Sequence, residues 1–465
     1  MSSGLDHALS NLRHFFPPET NPGYLKAALG TVLETVEIAL AATFLAVLFG
    51  LLISLYIGAR LPGARLLYAG LASLRAVPDL TLAIFCVILL GLGKAAGTAA
   101  LALFYTAALG KIFADLFASA DPAPVEALYS TGATRGMVAL FGLLPLRLKD
   151  MLSYGAYEFE SVIRAATIVG AVGAGGLGTE LIGSINQFDY PRVTTLVLML
   201  VTLVAIVDQI SLYVRRHPKL LLVFMVCGAA ALWTCLPEEA YIRHAAETYR
   251  RMLQPQAPQH LLLLPGLVLE TLEIAFGGTL LAMAFALPLS AAAARNLTPW
   301  FIHFPARRLL EFLRAIPEVV WGLILIGMAG LGPRIGILAL GLHSTGSLGK
   351  LYSESLENVP EQAVTSMTST GASRIVVAAF AHLPLAFGPM SVHSLFRLEW
   401  NMRAAAVVGL ISAGGIGQAL FDAQQLFHYQ EMSFYLIVTW GLVMTTDLIN
   451  TQVRRRWGVA KVQSL

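Results

Sequence analysis

Two Glu-x-x-x-Arg pairs, Glu160/Arg164 and Glu399/Arg403, are the first residues of this sequence whose types and spacing suggest a chemical role. A spacing of four residues places both charges of a pair on one face of a helix. Both pairs lie in otherwise apolar stretches, where a charge is costly and marks a functional site or a paired contact. The arginines therefore either meet an anion or clamp helices together, and the clamp is the favoured interpretation.

Two further arginines are each followed by a proline and an acid, in Leu-Arg75-Ala-Val-Pro-Asp79 and Leu-Arg314-Ala-Ile-Pro-Glu318. One interpretation is a basic constriction on an anion pathway. The other is a structural tie, in which each arginine holds helix ends together through carbonyl groups or the nearby acid. The proline favours the second interpretation, because it indicates a bend.

The sequence lacks the motifs of the common catalytic and nucleotide-binding sites. Lys94 is followed by Ala95 and Lys350 by Leu351, so neither lysine completes a P-loop. Gly-Ala-Gly-Gly-Leu-Gly at 173–178 fits the dinucleotide fingerprint, but no strand precedes it, and close helix packing or a bend is the better interpretation. No metal-ligand cluster or nucleophile elbow is present either. We therefore expect neither a cofactor nor a metal ion, and no enzymatic activity.

The composition makes each charged residue of this chain unusual. Of 465 residues, 57% are hydrophobic and only 13% are charged, and the mean hydropathy is +0.70. A soluble domain carries about a quarter charged residues, so the chain is expected to be an all-α, polytopic membrane protein. Its 31 basic and 28 acidic residues give no nucleic-acid footprint. The three cysteines lie in apolar stretches and predict no disulfide framework.

An internal repeat organises the whole chain. Ser-Thr-Gly-Ala-Thr-Arg at 130–135 recurs as Ser-Thr-Gly-Ala-Ser-Arg at 369–374, an offset of 239 that also relates the arginine motifs and the Glu-x-x-x-Arg pairs. Upstream, Glu-Thr-Val-Glu at 34–37 recurs as Glu-Thr-Leu-Glu at 270–273, an offset of 236. One membrane module is therefore present twice in the same orientation.

His343 breaks this correspondence, because the first copy has Phe104 at the equivalent place. The asymmetry makes His343 a candidate for one-sided substrate contact. A lone histidine is more often structural, and that alternative stays open.

A spanning helix needs about 20 apolar residues. The first copy supplies five candidate spans and the second copy another five. The apolar segment 219–236 has no counterpart and restores the orientation of the second copy, so about eleven spans are expected. We predict a first module at 24–216, a linking helix and external segment at 217–264, and a second module at 265–456. The predicted spans are 32–58, 66–92, 97–117, 143–172, 193–214, 219–236, 266–290, 308–330, 334–353, 382–411 and 432–453.

Orientation follows from the basic residues that flank the spans, which mark the cytoplasmic side. They include Arg60, Arg135, Arg215, Arg374 and Arg454, all on one side of the predicted topology. The N-terminus and the segment 237–264 are then external, and the C-terminus is cytoplasmic.

One cytoplasmic loop carries a spaced motif in both copies. In the first copy a Glu-Ala pair precedes a glycine by six residues, and Leu-Pro follows the glycine at a fixed distance. This spacing predicts a helix of about two turns, a sharp bend at the glycine and a new element opening at the proline. The second copy keeps the glycine and the proline but has Thr-Ser where the Glu-Ala pair is expected, so the two loops are predicted to be unequal. The candidate residues are Glu126, Ala127, Gly132, Ala133, Arg135 and Pro145, with Gly371, Ala372, Arg374 and Pro384 in the second copy.

This loop resembles the EAA loop of ABC-importer permeases, and the arginine and glycine motifs resemble the phosphonate-type branch of that family. The resemblance covers nearly the whole chain and implies two type I permease modules fused in one chain in a bacterial plasma membrane. It implies two ATP-binding subunits on the cytoplasmic loops, an external solute-binding protein, and a phosphonate, phosphite or hypophosphite substrate. A methionine-type or other small-anion importer is the alternative within the family, and a secondary transporter is the alternative outside it.

Overall fold

A computed structural model describes residues 17–170, 172–187, 189–217, 220–236, 248–258, 261–409 and 413–456. Every regular element within these residues is a helix, which confirms the all-α prediction. The chain divides into two compact units, and the division falls between Leu253 and Gln254. The predicted N-terminal segment up to residue 16, and residues 237–247 and 259–260 of the predicted external segment, lie outside the described residues.

Among its described residues, the first unit contains nine numbered helices, and a π-helical turn at Val138–Leu143 runs directly into α6. These helices are α1 Pro22–Gly58, α2 Ala64–Arg75, α3 Asp79–Leu90, α4 Lys94–Ala118, α5 Pro122–Ser130, α6 Leu144–Gly170, α7 Leu177–Asn186, α8 Tyr190–Arg216 and α9 Leu220–Thr234.

In the part of the second unit that the structure describes, this order is repeated without a counterpart of α9, and the π-helical turn lies at Ala378–His382. Its helices are α10 Leu264–Ala293, α11 Trp300–Ala315, α12 Glu318–Ala329, α13 Pro333–Glu357, α14 Glu361–Thr368, α15 Leu383–Val408, α16 Gly415–Gln425 and α17 Tyr429–Arg456.

Each unit is built around a long parallel helix pair, α1 with α4 and α10 with α13. Small side chains line these contacts, and Ala39, Ala42, Ala100 and Ala107 are fully buried in the first unit. Small residues let helix backbones approach closely, which replaces the hydrophobic drive that is absent in lipid.

The predicted spans 66–92 and 308–330 are each two helices rather than one. In the first unit α2 and α3 meet at an angle of 94°. In the second unit α11 gives way to α12 at Ile316, whose backbone is extended with φ −86° and ψ 118°. The cause is Pro78 or Pro317, because a residue before proline avoids the helical conformation and proline donates no N–H.

Length and hydropathy identify six candidate membrane spans among the described residues, or seven if the bent α2–α3 pair counts as one. The prediction of a polytopic membrane protein is confirmed. The number eleven stays a prediction, because α6, for example, carries too many charges to satisfy this criterion.

The added helix α9 packs along α1 of the first unit. A Cβ at Gly228 would lie 2.7 Å from Cβ of Phe44 and 3.0 Å from the carbonyl oxygen of Leu40. Ala41 and Ala231 are buried in the same contact, and the hydroxyl of Thr234 donates to Glu37 at 3.3 Å. The helix that follows the first repeat therefore belongs structurally to that repeat.

Candidate functional site

The first predicted loop contains an exposed helix, α5, and none of its residues is buried. Its start is fixed locally: the Asp121 carboxylate accepts a hydrogen bond from the Ala123 N–H at 3.0 Å, and Pro122 occupies the first turn. Glu126 and Ala127 lie in its middle and are exposed. The loop thus presents a short, capped helix whose side chains are available to a partner.

Gly132 ends this helix with a left-handed backbone, φ 81°. Nothing lies within 4 Å of the position a Cβ would occupy, so conformation and not space requires glycine here. The chain then turns back through Ala133, which is half-buried. Leu128 of α5 packs against Gly142 in the π-helical turn, which holds the exposed helix against the chain that leads into α6.

Arg135 ties this loop to the turn between α1 and α2. Its Nη1 donates a hydrogen bond to the main-chain oxygen of Arg60, at 3.2 Å. Arg60 lies in the turn between α1 and α2 and has a left-handed backbone, φ 51°. The sequence identified both arginines as basic flanking residues but gave no signal for this contact.

The second loop has the same geometry although it lacks the Glu-Ala pair. The exposed helix α14 has no buried residue, and Gly371 follows it with φ 79° and open space around it. Ala372 is half-buried, and Arg374 is exposed and begins the next short helix. The backbone conformation of the loop therefore depends on the glycine and not on the glutamate.

Pro145 and Pro384 occupy the second position of α6 and α15, and both are exposed. The missing N–H of a proline costs nothing in the first turn of a helix. Each proline follows a π-helical turn, so the new helix continues the preceding turn and does not start from a free end.

A second-unit contact near the loop was not predicted. Arg307 of α11 forms an ion pair with Glu357, the last residue of α13, at 2.5 Å, and its Nε donates to the carbonyl oxygen of Ala293 at 3.0 Å. One side chain thus joins the ends of α10 and α13 directly before α14 begins. Sequence spacing carries no signal for it, because 50 residues separate the two charges.

In the first unit, the arginine of the Glu-x-x-x-Arg pair connects two helices. Arg164 of α6 lies 3.9 Å from Asp208 of α8, and both side chains are largely buried. Glu160 is buried at 4% exposure. Arg75 is the last residue of α2 and lies half-buried at the break before α3.

The second unit keeps its pair within one helix. Arg403 lies 3.4 Å from Glu399, and its guanidinium stacks over the Trp400 ring at 5.4 Å. Arg314 is half-buried in the last turn of α11. Gly346 of α13 packs against this turn so closely that a Cβ on Gly346 would lie 2.5 Å from the main-chain nitrogen of Arg314.

His343 bridges the break between α11 and α12. Its Nδ1 lies 2.9 Å from the carbonyl oxygen of Ile316, and its Nε2 lies 3.6 Å from Oε2 of Glu318. The histidine and the glutamate are both buried. Because the carbonyl fixes Nδ1 as the donor, Nε2 is the nitrogen that faces the acid.

The glycine runs are clasped by the repeated Glu-Thr motifs of α1 and α10. The Thr35 hydroxyl accepts from the Leu177 N–H at 2.8 Å, and the Thr271 hydroxyl accepts from the Ile416 N–H at 2.9 Å. Glu270 accepts from the Gly415 N–H at 2.8 Å. These contacts cap α7 and α16, so the fingerprint-like glycines form a tight turn against a helix and not a nucleotide site. The recurrence of Glu-Thr at an offset of 236 was the sequence signal that could have indicated these contacts.

These features define a multi-pass helical membrane protein. The chain matches the family described as "Binding-protein-dependent transport system inner membrane component" twice, over residues 46–219 and 286–459, and it belongs to that family. The family consists of inner-membrane permeases of ABC importers, which are transport subunits and not enzymes and which work with ATP-binding subunits and a substrate-binding protein.

Several curated proteins are similar. The "Phosphate-import permease protein PhnE" of Mycolicibacterium smegmatis is 28% identical over 75% of this chain and 70% of its own length. The "Phosphite transport system permease protein PtxC" of Stutzerimonas stutzeri is 39% identical over 32% of this chain and 55% of its own length. The "Putative cryptic phosphonate transport system permease protein PhnE2" of Escherichia coli is 37% identical over 25% of this chain and 98% of its own length.

A solved structure of the MetNI methionine ABC transporter in inward-facing conformations is also similar. It is 17% identical, with a TM-score of 0.40, over 43% of this chain and 99% of its own length.

Proposed function

We propose that this chain is the transmembrane subunit of an ATP-driven importer for phosphonate or a related phosphorus oxyanion such as phosphite or hypophosphite. The observation that carries the proposal is the family match, which is found twice and coincides with the internal repeat. The names of the relatives supply the substrate class, because they mention phosphate, phosphite and phosphonate. The two repeats would form the translocation pathway and operate by alternating access.

The two exposed loops are the proposed contacts for two ATP-binding subunits, at 119–136 and 358–375. Both present a short exposed helix followed by a left-handed glycine. Large apolar side chains lie exposed next to them, with Phe141 at 68%, Ile375 at 81% and Phe380 at 69% exposure. Exposed apolar groups beside a presented helix are typical of a docking surface on a partner protein.

The loops face the cytoplasm in this proposal, the N-terminus is external and the C-terminus is cytoplasmic. An external solute-binding protein would deliver the oxyanion to the opposite face, and membrane lipid would surround the spans. The chain itself would need no cofactor, no metal ion and no nucleic acid, since ATP hydrolysis belongs to the partner subunits.

The intramembrane charges are the proposed contacts along the pathway: Arg75, Arg314, Glu160, Arg164, Glu399, Arg403 and His343. The ion pairs Arg164–Asp208 and Arg403–Glu399 are compatible with a clamp between or along helices. An arginine in such a pair can still exchange its carboxylate for a passing anion, because both acceptors offer similar oxygens.

The test is uptake of radiolabelled phosphite and methylphosphonate into proteoliposomes that contain the chain, its ATP-binding subunit and its solute-binding protein. ATP-dependent uptake is expected, and it should disappear when the ATP-binding subunit is omitted. Uptake without that subunit would instead show a secondary transporter. Uptake of methionine but of neither phosphorus anion would show a different ABC importer.

A further inference from the structure

A cavity of the first unit lies where α1, α4, α6, α8 and α9 meet. Its lining is apolar apart from Ser211, whose hydroxyl donates to the carbonyl oxygen of Ala156 at 2.9 Å. A buried water needs two to four polar partners. The lining side chains offer water this one hydroxyl, which already has its acceptor, so the cavity favours an apolar occupant.

The cavity has room for a short stretch of hydrocarbon. The space open to the centres of water-sized groups is about 60 Å³, and one such group needs about 10–15 Å³ of it, so about four consecutive methylene groups fit. Its walls come from different helices, with Val47 on α1, Phe113 on α4, Met151 on α6 and Phe224 on α9.

One side of the cavity opens at the surface of the unit. Two of the lining residues, Leu148 of α6 and Ile210 of α8, are 43% and 48% exposed. Helix α8 is one of the candidate membrane spans, and Leu198 and Ile206 are exposed on the same face as Ile210. An exposed apolar face of a membrane span meets lipid, so acyl chains can reach this opening from the bilayer.

The second unit has polar groups at the equivalent position. At the offset of 239, Phe113 and Gly155 correspond to Tyr352 and Ser394. The hydroxyl oxygens of Tyr352 and Ser394 lie 2.5 Å apart, and both residues are buried. Phenylalanine and glycine cannot form this hydrogen bond, so the first unit has an apolar gap where the second unit has a polar contact.

Helix α9 completes the wall of the cavity. The ring of Phe224 lies edge-on to the ring of Phe159 in α6, with the ring centroids 4.8 Å apart, and Met225 lines the cavity beside it. Among the described residues of the second unit, α9 has no counterpart. An occupant of the cavity would therefore contact both the added helix and the helices of the repeat.

Basic residues directly follow two of the lining residues. Lys149 follows a lining residue of α6 and is exposed, and Arg215 and Arg216 follow a lining residue of α8. Arg147 and Asp150 form an ion pair with each other at 3.2 Å, so they leave this positive balance unchanged. The positive charge fits the phosphate of an anionic phospholipid.

We infer that the cavity holds part of an acyl chain of an anionic phospholipid, whose phosphate group lies near Lys149. The hydrophobic effect does not drive this step, because the chain is already in an apolar medium. The gain is van der Waals contact with walls that would otherwise face a void. The phospholipid thereby fixes α9 to α6, the helix that continues from the first exposed loop.

The experiment uses the full chain in phosphatidylcholine vesicles that contain a small fraction of phosphatidylglycerol with a photoreactive diazirine in one acyl chain. After illumination, mass spectrometry measures labelling at Met151 and Phe113, which line the cavity but are only 3% and 2% exposed. Lipid around the outside of the protein cannot reach these two side chains. Labelling of Val226 on α9, which is 62% exposed, reports general lipid contact. The readout is the ratio of cavity labelling to Val226 labelling.

Gly155→Leu should lower this ratio at least about fivefold, because the added side chain fills the cavity and a lipid chain would overpack it. A Cβ at Gly155 meets Val47 at an ordinary 3.6 Å, so the substitution is directed into the gap. The matched control is Gly441→Leu, which adds the same side chain in α17 at a position with open space, and it should leave the ratio unchanged.

Lys149→Gln tests the headgroup without changing the cavity. It should lower the ratio about fivefold, since a basic residue near the membrane surface adds about 1 kcal/mol of attraction to an anionic lipid. Lys26→Gln, at an exposed lysine in the first turns of α1, should have no effect.

Absence of labelling at Met151 and Phe113 in the wild-type chain, with Val226 labelled, would overturn the inference. An equal ratio in Gly155→Leu and wild type would also overturn it, because the label would then not come from the cavity. If Lys149→Gln matched the wild type and a phosphatidylcholine probe labelled equally well, the anionic headgroup would be wrong. None of these measurements involves transport, so a failure of the proposed function is a separate result.

Discussion

Arg135 donates a hydrogen bond to the main-chain oxygen of Arg60 at 3.2 Å, and Arg60 has a left-handed backbone with φ 51°. The contact joins the first exposed loop to the turn between α1 and α2. A displacement of the loop by an ATP-binding subunit would therefore act on the end of a helix that spans the first unit.

Replacing Arg135 by alanine should weaken this connection. The expected stability loss is small, about 1 kcal/mol or less, because the contact is exposed. The amount of phosphite taken up per ATP hydrolysed should fall more clearly than the free energy of unfolding. The measurement is the ratio of phosphite uptake to phosphate release in the reconstituted complex, with Gly136→Ala as a nearby control at a position with open space. Equal ratios in Arg135→Ala and wild type would contradict the connection.

Gly132 and Gly371 should each resist substitution for a conformational reason. Both have φ near 80°, at 81° and 79°, and nothing lies within 4 Å of an added Cβ. Alanine at either position should cost about 1–2 kcal/mol of loop conformation and weaken capture of the ATP-binding subunit. Co-purification of that subunit is the measurement. A larger effect of one variant would identify the loop that contributes more.

Much of the helical layout follows from hydropathy, but the breaks at Ile316 and between α2 and α3 do not. Apolar residues predominate on both sides of Pro78 and Pro317, so a hydropathy window sees one span where the backbone makes two helices, and only the prolines themselves indicate a bend. The loop glycines were predictable, because a tight turn is determined by residues that are close together in the sequence. Arg135–Arg60 and Arg307–Glu357 were not, because such contacts depend on how helices rotate and cross, and sequence spacing does not specify either.

The same limit applies to Arg397 of α15. Its helix was predicted, but the hydrogen bonds from Arg397 through Ser344 and Asn401 to Thr279 require three helices to present one face each. Only the packing of α10, α13 and α15 shows that these faces coincide.

Thr35 and Thr271 should be more important for stability than other threonines of the chain. Valine at either position removes the acceptor for a buried N–H, at Leu177 or Ile416, and should cost about 1–3 kcal/mol. The control is Thr202→Val, whose exposed hydroxyl only donates to the carbonyl oxygen of Leu198 within α8. Thermal unfolding in detergent is the measurement. Equal melting temperatures for all three variants would contradict a stabilising role for the Thr35–Leu177 and Thr271–Ile416 hydrogen bonds.

The packing of α9 on α1 should depend on Gly228. Alanine there would place a Cβ 3.0 Å from the carbonyl oxygen of Leu40, which is backbone and cannot move aside, so a loss of about 1–3 kcal/mol is expected. Gly266→Ala is the matched control, because that glycine lies in a helix with open space and alanine should stabilise it slightly. Limited proteolysis between α9 and α10 should become faster in Gly228→Ala alone.

Arg307 and Arg308 are adjacent and carry the same charge, so they offer a test of the contact by which Arg307 joins the ends of α10 and α13. Arg307 pairs with Glu357 at 2.5 Å with both side chains three-quarters buried, whereas Arg308 pairs with Glu311 at 2.6 Å and is 60% exposed. Arg307→Ala leaves a partly buried carboxylate without its cation and frees the Ala293 carbonyl oxygen, so a loss of about 2–3 kcal/mol is expected. Arg308→Ala should cost about 0.5 kcal/mol or less, since exposed ion pairs contribute little and are screened by salt.

Thermal unfolding at low and high salt distinguishes the two variants: the effect of Arg307→Ala should persist at high salt. If both variants melted at the same temperature, Arg307 would not hold the end of α13, and the position of α14 would have to be set by its own contacts.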